Sequence, residues 1–427
     1  MADVFDAFYA ELLRCASPGE HAADMRHEAR NGHYAGVPRA QAEEIRIQLK
    51  SMLERKAADT NNVVVEMLKS GGKELFNMLA ELFTDVLDPA MEPPEFWKLA
   101  RLKVLFKKGD AQQAENYRPI AIFPVLYKVF SRVLLARIKQ TASEAQSVDQ
   151  AGFRSGFCCD DHLFSVTLIW EMMNEFQLPL FVAAVDFKKV FDAVTHAKLW
   201  ETLREQGVED RYVHTLERLY SDQNGQVLTD TLSKTFSIRR GTKQGDPTSP
   251  VLFNAVLEKA MRKAKQRWDQ KGFGIEVEPG RLLQNLRFAD DALPASSLSD
   301  LQAMLTHLAE MASEVASKFI WERPTFWRML PGNNEEKKGR TVVSVNNKPV
   351  EFLPLDGSTM YLGRLLTLGD FHGTKIQHRI SRGWKMFWSL KRTLCDKGHS
   401  LRDRLKLFEA TVSPTVLYGS GTWTMTA

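Results

Sequence analysis

The chain has 427 residues, 44% of them hydrophobic and 26% charged, with a formal net charge of +4 and a pI near 8.7. That length allows several packed subdomains, and that composition excludes wholesale disorder. No run reaches the 18 or more apolar residues of a membrane span, and Cys15, Cys158, Cys159 and Cys395 show neither zinc spacing nor a disulfide framework. With no basic n-region and no long apolar h-region after Met1, the sequence reads as soluble and intracellular, in nucleus or cytoplasm, and not secreted.

Residues 1 to about 60 carry helical patterning interrupted by Ser17-Pro18-Gly19 and Asn31-Gly32-His33, which predicts a poorly defined N-terminal extension. Val63 to Leu87 is patterned as one amphipathic helix, stopped by Pro89, Pro93 and Pro94. Leu126, Val129, Phe130, Val133 and Leu134 share a helical face. An apolar strand over Leu180 to Val185 then ends on Asp186, followed by a helix from about Thr195 and another opened by Pro250. Leu282 to Phe288 reads as a strand, Asp290 and Asp291 as its turn, and the residues beyond as a return strand. Pro294 falls in that return strand and is tolerable there only at an edge or a bulge. Leu301, Met304, Leu305, Leu308, Ala312 and Val315 mark a further helix, and the polar run from Gly332 to Gly339 marks a loop. The order of strand, helix, helix, hairpin and helix predicts an α+β fold, an antiparallel sheet backed by helices.

Adjacent carboxylates beside an apolar hairpin are costly unless a cation neutralises them. An isolated Asp-Asp pair is most often a polar turn, but here the flanking strands would bring Asp290 and Asp291 beside Asp186 at one sheet edge. Three acids facing one point suit magnesium, a hard cation that takes oxygen ligands and keeps substrate phosphates in its shell. A second pattern lies between Lys375 and Lys406, where ten Lys or Arg stand against two acids, interleaved with Trp384, Phe387 and Trp388. Arg382, Trp384 and Lys385 of this run could neutralise phosphates and stack on a nucleic-acid strand. The same pattern also fits an amphipathic helix with core aromatics and a solvated cationic face.

Seven blocks, in order, carry a family resemblance. They are Asn116-Tyr117-Arg118-Pro119-Ile120; Asp149-Gln150-Ala151-Gly152-Phe153-Arg154; Val185-Asp186-Phe187-Lys188-Lys189 with Phe191-Asp192; Lys243-Gln244-Gly245-Asp246-Pro247 with Ser249-Pro250; Phe288-Ala289-Asp290-Asp291; Tyr361-Leu362-Gly363; and Leu417-Tyr418-Gly419. From about Pro93 to the C-terminus the chain resembles the reverse transcriptase of non-long-terminal-repeat (LINE-like) retrotransposons.

The resemblance implies a right-hand polymerase fold with fingers, a palm holding an antiparallel sheet, and a partial helical thumb. It divides the chain into an extension over 1–60, fingers and palm over 61–365, and a truncated, thumb-like basic helical region over 366–427. It implies an RNA-directed DNA polymerase that extends a DNA primer on an RNA template from deoxynucleoside triphosphates. Two magnesium ions, replaceable by manganese, would be held by Asp186, Asp290 and Asp291. Lys107 and Arg118 would meet the triphosphate, Phe191 would block a ribose 2'-hydroxyl, and Gln244 and Gly245 would pass close to the nascent base pair. Arg154 would lie on the template side, and Tyr361 and Gly363 in a primer-gripping hairpin. Val190 and Pro324 depart from the family pattern, which expects Ala and a Lys-Thr pair there. The alternative reading is therefore a catalytically weak or inactive remnant that only binds nucleic acid. Neither reading fixes the oligomeric state.

Overall fold

The structure, a computed structural model, describes residues 2–14, 36–107, 109–185, 187–188, 192, 194–288, 290–315, 320–321, 325–329, 342–345, 348–351, 357–367 and 373–423. The chain forms two compact units. One comprises Met1–Ser147, Lys189–Lys263 and Glu310–Phe319, the other Val148–Lys188, Ala264–Ala309 and Ile320–Ala427. Helices and largely antiparallel sheets mix in both, as the predicted α+β class requires.

In the first unit, the strands Tyr117–Ile122, Leu99–Phe106, Asn224–Leu228 and Phe236–Ser237 lie side by side in that order. The first pair is antiparallel with Leu105 opposite Arg118, and the second is parallel. Helix Val125–Glu144 buries Val129, Phe130, Val133 and Leu134 as its spacing predicts. Phe130 meets the Phe83 ring at 5.2 Å and Trp97 meets Tyr127 at 5.7 Å, both edge to face. The helix predicted over Val63 to Leu87 is instead two, Val65–Ser70 and Gly72–Leu87. Gly72 breaks it by adopting φ +66°, a conformation open to glycine at little cost. Near the N-terminus, helix Ala2–Leu12 packs Phe5 and Tyr9 on Val227, and the Tyr9 hydroxyl donates to the Tyr117 carbonyl at 3.2 Å.

In the second unit the sheet order is Thr325–Met329, Leu180–Val185, Asp290–Ala295, Leu286–Phe288. Leu180–Val185 is an unbroken apolar run because it has a strand on each side and packs into a core with Trp170, Met173, Tyr361 and Leu366. The single strand predicted over Leu282 to Phe288 is two. Arg281–Leu283 pairs with Ile275–Glu278, and Leu286–Phe288 with the start of Asp290–Ala295. Buried Gln284 interrupts it by donating from Nε2 to Asp269 Oδ1 at 2.8 Å and to the Phe273 carbonyl at 3.1 Å.

Asp290 and Asp291 are the first residues of the return strand rather than its turn, with Asp290 opposite Phe288. Pro294 is buried and paired with Val182, but the Leu286–Phe288 strand reaches only as far as Ala292, so that side of the strand is a local edge at Pro294. Toward the C-terminus, helices Gly373–Leu394 and Leu401–Leu417 pack together, and a Cβ at Gly383 would overlap Val416. The polar loop of residues 332–339 lies outside the described residues.

Candidate active site

The carboxylates expected to act together belong to chain segments that meet through backbone register. Asp291 stands between Arg287 on one neighbouring strand and Val185 on the other, and Val185 immediately precedes Asp186. Asp186 itself and the side chains of Asp290 and Asp291 lie outside what the structure describes. Among the described residues no group of three His, Cys, Asp or Glu side chains could hold a metal. As a donor set the three acids suit magnesium, since all offer hard oxygen ligands and the register brings their chain segments to adjoining strands of one sheet.

The second block is joined to this hairpin. Gln150 bridges in parallel to Arg287, whose amide donates to the Asp149 carbonyl at 2.9 Å and whose carbonyl accepts from the Ala151 amide at 2.9 Å. His162 adds Nε2 as a donor to the same Arg287 carbonyl at 3.1 Å, and burial pushes its pKa down, keeping it neutral. Arg287 is 0% exposed. Arg154 donates to the Gln150 carbonyl at 2.9 Å and lies over the Phe157 ring at 4.3 Å. Its neighbour Phe153 is held at φ +59° and is exposed.

In the first unit, Lys107 continues the Leu99–Phe106 ladder by donating its amide to the Asn116 carbonyl at 2.9 Å. Because strand side chains alternate, Lys107 shares a face with Leu105 and, across the pair, with Arg118. Lys107 and Arg118 are both exposed. Ala100, Leu102, Pro119 and Ala121 turn the other way, onto a cavity of about 30 Å³ that Gln244 and buried Asp192 help to line. Lys107 and Arg118 thus gather on one face and Gln244 on the other. Phe191 lies outside the described residues.

The Gln244-Gly245 turn runs along the open edge of the Tyr117–Ile122 strand. The Ala121 amide donates to the Gln244 carbonyl at 2.8 Å, and a Cβ on Gly245, at φ +110°, would stand 2.7 Å from the Ala121 oxygen. Only glycine allows that approach.

Tyr361-Leu362-Gly363 forms a hairpin between strands Ser358–Tyr361 and Arg364–Thr367. Leu362 at φ +47° and Gly363 at φ +73° give the two positive φ values of a type I' turn. Tyr361 is 0% exposed, so its ring belongs to the core and the outward part of the turn is Gly363. The Tyr418 hydroxyl donates to the Leu362 carbonyl at 2.6 Å, and Arg379 donates to the Gly363 carbonyl while lying 4.5 Å over the Tyr418 ring. Burial pushes the Tyr418 hydroxyl up to about 12, which keeps it a donor at neutral pH.

On helix Gly373–Leu394, Trp384 and Trp388 are 56% and 57% exposed and stack with centroids 6.4 Å apart at 28°. Lys391 lies 4.6 Å from the Trp388 ring, and Arg382 and Lys385 on the same helix are exposed. The two tryptophans are therefore surface groups, not core.

Sequence reasoning gave no role to Lys243 and Asp246, though it placed both in a block, and passed over Tyr127 and Ser131; all four are buried together in the first unit. The one available signal was the charged pair flanking Gln244-Gly245. Arg287 and Arg379 were also missed, since neither stands out from its neighbours in the sequence.

The chain is similar to several known proteins. A polyprotein from the type-2 retrotransposable element R2DM of Drosophila melanogaster is 28% identical over 228 residues, 53% of this chain and 21% of that protein. A polyprotein from the type-1 retrotransposable element R2 of Popillia japonica is 30% identical over 223 residues, 52% of this chain and 30% of that protein. A Drosophila melanogaster protein named "Probable RNA-directed DNA polymerase from transposon X-element" is 29% identical over 352 residues, 77% of this chain and 36% of that protein. The chain thus spans between about a fifth and about a third of the length of these relatives. Residues 106–353, more than half of the chain, match one family throughout, and the chain belongs to it: the reverse transcriptases, or RNA-dependent DNA polymerases.

Proposed function

We propose that this chain is the polymerase part of a LINE-like retroelement protein, an RNA-directed DNA polymerase that extends a DNA primer on an RNA template from deoxynucleoside triphosphates inside the cell. The observation that carries the reading is the strand register with Asp291 opposite Val185, next to Asp186. Residues 61–365 would then act as fingers and palm and residues 366–427 as a thumb-like basic helical region. No helix among the described residues is long and apolar enough to cross a membrane.

Asp186, Asp290 and Asp291 would hold two magnesium ions, with manganese as substitute. When bound, the ions supply positive charge to the reacting phosphates. Lys107 and Arg118 add cationic donors for the triphosphate, Arg118 as a planar fork and Lys107 as a point charge. Gln244 offers both donor and acceptor to the new base pair while Gly245 lets the backbone come close. Phe191 would exclude a 2'-hydroxyl. Arg154 and the turn at Gly363, shaped by Tyr361, would touch template and primer, with Arg382, Trp384 and Lys385 along the product strand.

Primer extension by the purified protein on a primed RNA template tests this. Magnesium-dependent extension is expected, lost on chelation and lost in Asp290→Asn while RNA binding persists. RNA binding without extension by the wild-type chain would instead favour a remnant that only binds nucleic acid.

A further inference from the structure

A cation sits in the core of the first unit. Lys243 is 3% exposed, and its Nζ donates to the Leu219 carbonyl at 2.8 Å. Three rings surround it, with centroids 4.7 Å away for Tyr220, 4.8 Å for Tyr127 and 5.5 Å for Phe123. Three residues on, Asp246 is equally buried. It accepts from the Tyr127 and Ser131 hydroxyls and from the Thr248 amide at 3.0 Å. Between the two, the Lys243 carbonyl accepts from the Asp246 amide at 2.8 Å and from the Ser249 hydroxyl at 2.7 Å.

The two buried charges bracket Gln244 and Gly245, whose backbone meets the strand edge at Ala121. Burying a lysine costs free energy that a methionine of similar length would not, so the fold alone gives no reason for a cation here. We propose that Lys243 and Asp246 clamp the two ends of the Gln244-Gly245 turn, and that Lys243 is a positioning residue that fixes the turn against Ala121 for nucleotide selection. This rests on the reading of Gln244 and Gly245 as nucleotide-binding.

The charge matters as well as the donor. Rings attract a cation through their faces, and Asp246 attracts it directly. A neutral amine keeps only the bond to Leu219. Burial brings Lys243 down to about 8, with Asp246 opposing that fall and Lys98 adding to it. The other titratable groups facing it, Tyr127, Tyr220 and His196, stay neutral, since burial raises both tyrosines and lowers the histidine. Nucleotide affinity should therefore weaken above pH 8 in the wild-type chain.

The test is steady-state single-nucleotide incorporation by Lys243→Met, Lys243→Arg and Gln244→Ala, with melting curves for each. Lys243→Met should raise KM for the nucleotide about tenfold with kcat within about threefold, the pattern of lost binding rather than lost chemistry. Template affinity should not change. Lys243→Arg should recover part of the KM and flatten its rise between pH 7.5 and 9, about the span of the lysine titration. A merely structural role predicts the reverse, a lower melting temperature and lower active fraction with KM unchanged. If Lys243→Met does not fold, Ser131→Ala tests the Asp246 end by the same readout. KM unchanged in Lys243→Met or Ser131→Ala, while Gln244→Ala raises it, overturns the clamp. KM unchanged in Gln244→Ala removes the Gln244 reading itself, and the clamp with it.

Discussion

Tyr418 donates its hydroxyl to the Leu362 carbonyl at 2.6 Å, tying two blocks 56 residues apart in the chain into one hairpin support. Tyr418→Phe should cost about 0.5–1.5 kcal/mol, the net value of one hydrogen bond, by urea denaturation. Gly363→Ala should cost more, about 1–3 kcal/mol, because φ +73° strains any L side chain. Equal, negligible losses in both would detach the hairpin from the Leu401–Leu417 helix.

Gly245→Ala places a methyl group 2.7 Å from the Ala121 oxygen, in a backbone conformation that disfavours it. The turn must lift from the strand edge, and a shift of about 1 Å can cost on the order of 10²-fold in rate. Nucleotide incorporation should fall by that order while circular dichroism stays near wild type. Normal incorporation by this variant would show that Gly245 tolerates displacement.

Trp384→Ala and Trp388→Ala should each weaken binding to single-stranded nucleic acid by about 1–3 kcal/mol, the range for base stacking on an aromatic. Since both rings are more than half exposed, unfolding free energy should move by less than about 0.5 kcal/mol. Unchanged affinity in fluorescence anisotropy for both would return the pair to ordinary surface residues.

His196 sets an acid limit. Its Nε2 donates to the Gly241 carbonyl at 3.0 Å, and burial lowers its pKa from 6.5 to about 4. The unfolded chain therefore binds more protons between pH 4 and 6.5, so this stability is complete above pH 6.5 and is lost as pH falls toward 4. The amount is about 3 kcal/mol, since each tenfold loss of proton affinity on folding is worth roughly 1.4 kcal/mol. His196→Asn should be less stable at pH 7 but flatter in melting temperature between pH 6.5 and 4.5. A variant as pH-sensitive as wild type would assign the acid loss to other groups.

The strand before Asp186, the carboxylate pair and the hairpin turn were legible in the sequence because each is a short run whose chemistry and spacing are local. The apolar run ending at Val185, the Asp290-Asp291 pair and the glycine at 363 announce a strand end, a carboxylate pair and a tight turn without reference to anything distant. Tertiary structure decided which of these side chains face inward. Tyr361 reads like an exposed grip and is core, whereas Trp384 and Trp388 fit a core pattern and are at the surface. Asp290 entered the return strand because its pairing with Phe288, and that of Asp291 with Val185, set the register. The surroundings of Lys243 and Asp246 were the least legible. Tyr127 and Ser131 lie 119 and 115 residues before Asp246, and burial of a charge depends on which distant groups the fold brings to satisfy it, a sum that no local pattern contains.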